Sequence, residues 1–290
     1  MTKSIDKTNS KQSKVKTIKK DNFLKSAAVC LANANRLILN AELLNGDADT
    51  VTTSYALAFL AQEEIAKAFL LYLIYSEALP WNQYIQRSLK DHTCKQLWFI
   101  VLDALNPDFD EYLEKIKKPG YMGLKNFINE VGDALNWYRY AKIYSWEQGY
   151  YDWSDNPFNE NVKHIFKGKL DRKKQDALYV RIGKKGEVIS EPGSIKKQDV
   201  DKAIDTAKRF YRFANNLIEK DFLSTHDEHI DWLKNTLKHI FTPPTETGRE
   251  DTNSIPGIRF FEVSLPTVDV PRNKVTEKGI SNRKWDGSIK

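Results

Sequence analysis

The 290-residue sequence predicts a mainly α-helical fold: an antiparallel helical bundle with a small β-hairpin insertion and an extended C-terminal tail. Three observations predict it. Apolar residues recur at helical spacing through most of residues 21–241, Gly or Pro stands between the first periodic stretches, and only residues 177–190 carry paired β-prone runs. A chain that is 41% hydrophobic and 29% charged has enough apolar surface for its own core.

Residues 1–20 hold seven lysines and one acid with almost nothing apolar, the composition of a solvated, disordered arm. Leu24, Ala27, Leu31, Ala34, Ile38 and Ala41 then mark a first helix that stops before Gly46. Thr50 is placed to cap a second helix, which Pro80 ends after Leu79. The spacing predicts a third helix over Trp81–Leu105 and a fourth over Leu124–Glu147, with YSWEQGYYDW read as an irregular connection. ALYVRIGKKGEVIS reads as a hairpin about its Gly-Lys-Lys-Gly turn. Ser194 and Thr225 are the expected caps of two further helices, reaching Asp221 and Phe241. Domain organisation follows: an arm (1–20), a helical domain (21–241) and a tail (242–290) rich in Pro, Gly and mixed charge around the extended IRFFEVSL.

The net charge of +6 and pI near 9.0 permit an anionic partner, although much of the excess lies in the arm. Cys30 and Cys94 sit in helical patterns without metal-ligand spacing and are expected to be buried thiols in a reducing compartment. No apolar stretch follows the N-terminal lysines, and the longest apolar run, Tyr55–Tyr75, is broken by Gln62, Glu63, Glu64 and Lys67. A cytoplasmic protein without a membrane span is expected.

Those charges are the most informative feature. At about 100° per residue, Ala56, Leu60, Glu63, Glu64, Lys67, Leu71 and Ile74 share one stripe of the second helix. The opposite face, with Ala58, Ile65, Phe69 and Leu73, is also apolar, so the helix is either central or covered by a second subunit. Buried carboxylates need partners. Asn35 and Glu42 on the first helix, and His92 and Lys95 on the third, are the candidates for one polar network. Arg87 and His92 form Arg-x-x-x-x-His and lie roughly 140° apart on an ideal helix. Their cooperation requires side-chain reach, a distorted turn, or a site between subunits. If they meet, histidine can move a proton at a ribose hydroxyl or leaving oxygen while arginine stabilises the phosphate, so metal-independent RNA cleavage is the matching chemistry.

NANRLILNAELL (33–44), AFLAQEEIAKAF (58–69), DHTCK (91–95) and KKQDALYVRIGKKGEVISEP (173–192) together resemble the AbiV family of phage abortive-infection proteins over roughly residues 22–220. The resemblance implies a HEPN-like bundle. Many such bundles are dimeric, metal-independent ribonucleases with an arginine four to six residues before a histidine, near a subunit interface. It thus implies catalytic roles for Arg87 and His92, a homodimer, and no cofactor or metal. In active members a polar residue with an amide or acid often follows the arginine; here it is Ser88, a departure. The family is also associated with translation arrest and contact with a phage protein, which implies a rival, non-catalytic mode. In that mode the aromatic segment 149–153 and the tail carry the contacts.

Other chemistries lack their signatures. GKKGE lies in a hairpin rather than between a strand and a helix, so it is no phosphate loop, and HDEH at 226–229 is read as helix-start capping rather than a metal pair.

Overall fold

In the computed structural model, the residues described are 19–47, 49–106, 108, 124–149, 159–219 and 228–241. The expectations for residues 1–18, for Thr225, for HDEH as a cap and for the tail after Phe241 lie outside them. The mainly helical bundle is present, with one two-stranded antiparallel sheet among the described residues. None of the described helices is long and apolar enough to cross a membrane.

Helix α1 (Asp21–Leu44) buries Ala27, Leu31, Ala34, Leu37, Ile38 and Ala41, one stripe at helical spacing, against α2 (Val51–Tyr75). Thr50 stands before α2, but its side chain caps no amide of that helix. Its Oγ1 donates instead to the Leu44 carbonyl at 2.8 Å and closes the preceding helix. Ser54 Oγ likewise donates to Ala41 O at 2.6 Å. The residues of α2 from Ser54 to Ile74 are nearly all buried because α2 is the central element. Its two apolar faces are therefore covered within the chain.

The helix expected over Trp81–Leu105 is two helices, α3 (Gln83–Ser88) and α4 (His92–Leu105). Capping side chains make the break. Asn82 accepts from the Tyr84 and Ile85 amides, and Asp91, in an extended conformation, accepts from the Cys94 amide at 2.8 Å. A residue that satisfies free amides competes with helix continuation, so a cap inside an apolar-periodic stretch turns one predicted helix into a corner. Asp91→Ala is expected to cost about 1 kcal/mol in urea denaturation. A variant as stable as the parent would show the corner to be held by packing alone.

The stretch expected at 124–147 runs over Leu124–Gln148 in three pieces. These are α5 (Leu124–Asn136), a π-helical segment π1 (Trp137–Tyr144) and a final turn α6 (Ser145–Gln148), ended by Gly149 at φ 75°. The segment 150–153 lies outside the described residues. Two short helices follow that the periodicity did not indicate: α7 (Glu160–Phe166), capped by Asn159, and α8 (Lys169–Asp176). The expected hairpin is β1 (Arg181–Ile182) and β2 (Val188–Ser190), antiparallel, with Gly186 at φ 84° in its turn. The helix expected to be capped by Ser194 starts later: Pro192–Ser194 form a 3-10 turn and α9 runs over Lys197–Glu219. Finally α10 covers Glu228–Phe241.

Helices α1, α4 and α9 pack around α2. Edge-to-face rings join α2 to α4 and α4 to π1: Phe69 and Trp98 centroids lie 5.7 Å apart, Phe59 and Phe99 5.8 Å, and Trp98 and Tyr138 5.3 Å. Gln62, buried on α2, donates to the Ala203 carbonyl of α9 at 2.9 Å.

Candidate active site

The charges expected to form one network separate into two groups. Glu64 and Lys67, both half-buried, pair with each other at 2.6 Å and lie near Cys30 of α1, whose thiol burial pushes up to about 11. Glu63, one residue earlier, faces α4 and α8. A step of about 100° on the helix directs the two carboxylates to different neighbours. Glu42 is exposed and pairs with Lys208 of α9, while Asn35 is half-buried and bonds to none of these charges. Neither belongs to the Glu63 cluster. Cys94 is buried and Cys30 half-buried, and both thiols are free.

Glu63 is the centre of the cluster. Its side chain is 2% exposed, with Lys95 Nζ 2.9 Å from Oε2 and Lys174 Nζ donating to Oε1 at 2.8 Å. The Gln96 amide reaches Oε1 at 3.4 Å. Burial is the largest single influence and opposes the charge, yet Lys95 and Lys174 together outweigh it and hold the carboxyl below its ordinary value. Lys174 shows the converse. Burial pulls its ammonium down, and Asp171 and Glu63 more than restore it, so it stays charged. Two cations on one carboxylate make the buried charge tolerable, as an unpaired one would not be.

His92 is the first residue of α4, and its Nδ1 lies 2.6 Å from Glu63 Oε2. Its side chain is 49% exposed, unlike the buried Lys95. The corner decides this exposure: on a continuous helix His92 would share the inward stripe of Leu89 and Phe99. A carboxylate oxygen can only accept, so the short contact puts a proton on Nδ1 and turns Nε2 away from Glu63.

Arg87 lies in the last turn of α3 and is exposed, with its guanidinium stacked 4.3 Å over the Trp146 ring. The Asp91 amide still donates to the Arg87 carbonyl at 3.2 Å, a helical bond, but Asp91 itself is extended (ψ 124°) and breaks the helix before His92. The helical 140° separation therefore does not apply. Ser88, where the sequence departs from the active pattern, is fully buried; its Oγ donates to Ile85 O and bonds the Tyr138 hydroxyl at 2.9 Å. It anchors α3 to π1. The same segment brings Lys142 to 3.7 Å from Asp91.

Lys174 and Asp171 are the residues of this cluster that sequence reasoning missed. Lys174 is the only buried residue of α8, so that helix is held by charge and leaves no apolar stripe to detect. The one usable signal was Lys173-Lys174 inside the segment that carries the resemblance.

A mainly helical bundle with one small antiparallel sheet is consistent with a HEPN-like domain. The chain belongs to the HEPN_AbiV family, described as AbiV, whose family model matches residues 22–212. Membership implies a part in abortive-infection defence against phage. No curated protein and no solved structure matches the chain significantly.

Proposed function

We propose that this protein acts on RNA during phage infection as a metal-independent endoribonuclease, in the cytoplasm and as a homodimer. His92 moves the proton and Arg87 holds the phosphate. One observation carries the reading: the 2.6 Å contact between His92 Nδ1 and a buried, ion-paired Glu63, on a ring half open to solvent. A fixed Nδ1–H leaves Nε2 free to take the proton of a ribose 2'-hydroxyl. The 2'-oxygen then bonds to phosphorus, the 5'-oxygen leaves, and the proton passes from the imidazolium to that oxygen. The products are a 2',3'-cyclic phosphate and a 5'-hydroxyl. Stacked on Trp146, the Arg87 guanidinium keeps its edge N–H groups available to phosphate oxygens. Lys90, also exposed on this corner, adds salt-sensitive attraction for a polyanion. Glu63 is a positioning residue, and Lys95 supports it. Glu64 and Lys67 pair with each other within α2 and do not join the site.

The homodimer reading rests on α1. Val29, Ala32, Arg36, Leu39 and Leu43, spaced three and four residues apart, are all exposed and form an unpaired stripe suited to a second helix.

Incubating the purified protein with single-stranded RNA in chelator tests the proposal. Fragments ending in 2',3'-cyclic phosphate are expected, and intact RNA at stoichiometric protein, with phage resistance retained in cells, would refute it. That outcome favours the second reading, a non-catalytic protein that binds a phage product or the translation machinery. A specific observation supports this rival: Tyr179, Val180, Ile182, Val188 and Ile189 are all more than half exposed on the hairpin. The hairpin is clamped to α8 by Arg181 and Asp176, whose Nη2 and Oδ2 lie 3.1 Å apart, and by Ser190 Oγ donating to Asp176 Oδ1 at 2.6 Å. A rigid, apolar, open-edged hairpin suits protein contact.

A further inference from the structure

One ligand atom each from Glu63, His92 and Asp171 lie within 4.8 Å of one another. Two carboxylates and an imidazole are the donor types of a divalent-cation site. Among them stands an ammonium: Lys174 Nζ is 2.8 Å from Glu63 Oε1, 2.8 Å from Asp171 Oδ1 and 3.2 Å from His92 Nδ1. We propose that Lys174 is a tethered cation, occupying in this ligand set the place of a divalent metal ion and keeping such ions out.

The chemistry of each contact supports this. Asp171 Oδ1 is buried and accepts no hydrogen bond, so Lys174 meets it as a nearby charge rather than as an aligned donor. His92 Nδ1 donates its hydrogen bond to Glu63, so the 3.2 Å approach of Lys174 Nζ to it is proximity within the cluster and not a further hydrogen bond. With Lys95 on Glu63 Oε2, two ammoniums balance two carboxylates. A dication added to that neutral set would face two like charges at short range, a strong repulsion in a partly buried site. Removing the Lys174 ammonium leaves two carboxylates, one ammonium and room for an ion. The inference concerns the site of the proposed ribonuclease, but it stands on charge and geometry. Its test reads metal binding, so it can fail while RNA cleavage stands, and the reverse.

Cobalt(II) is the probe, followed by its visible absorption and by titration calorimetry on the full chain. Lys174→Ala is expected to bind cobalt at least about tenfold more tightly than the parent, from relief of ammonium–dication repulsion. The double variant Lys174→Ala, Asp171→Asn is expected to lose that gain, because it lacks one ligand. Binding by the parent as tight as by Lys174→Ala would overturn the proposal, as would a gain that Asp171→Asn leaves intact. If Lys174→Ala is unfolded without metal, Lys174→Gln replaces it as a neutral side chain of similar reach. A gain in cobalt affinity there supports the proposal, and none overturns it.

Discussion

Replacing Glu63 with glutamine is expected to destabilise the fold by about 3–5 kcal/mol, the cost of removing one partner from a buried ion-pair network. The substitution keeps the shape of the side chain and removes its charge. Lys95 and Lys174, both buried, are then left with only Asp171 of the original pair of carboxylates. Glutamine can still accept from one ammonium, but as a neutral group it cannot balance two. Urea denaturation at neutral pH measures the loss, and a change below about 1 kcal/mol, the range of exposed pairs, would show the cluster to be solvated. The pH dependence provides a second reading. The Glu63 carboxyl is depressed in the fold, so its stabilisation is complete above the unfolded-state value of about 4.3 and is lost as pH falls through the lower folded value. The ammonium of Lys174 is raised, so its contribution is complete below about 10.4 and fades only as pH rises through its folded value. Melting curves of parent and Glu63→Gln should therefore converge in acid.

Replacing His92 with alanine is expected to do the opposite: to reduce RNA cleavage by about 10²–10⁴-fold while changing stability by no more than about 1 kcal/mol. The ring is half exposed, and without it Glu63 keeps both ammoniums. The two substitutions thus separate a group that moves a proton from the group that holds it. Cleavage by purified His92→Ala at the parental rate would remove His92 from the mechanism. Loss of cleavage together with loss of fold would make its role structural.

Much of the bundle was legible in the sequence because its signals are local. The apolar stripe of α1 lies on a continuous helix ended by a predictable stop, and so does the two-faced pattern of α2. The hairpin declared itself through β-prone runs about a glycine turn. Where local signals compete, the reading failed. Trp81–Leu105 is periodic throughout, yet Asn82 and Asp91 cap two helices within it. α7 and α8 are too short for periodicity, and α8 buries a lysine rather than an apolar face.

By itself the sequence determined that Glu63 would be buried and that His92 and Lys95 were its natural neighbours, since helical spacing sets which residues share a face. Only tertiary structure decided which charge meets which. Lys174 reaches Glu63 across 111 positions of sequence, Glu64 turns away to Lys67, and the corner at Asp91 brings His92 to solvent. The physical reason is that burial is written in residue type and period, whereas a charge's partner is whichever opposite charge the packed backbone brings within reach.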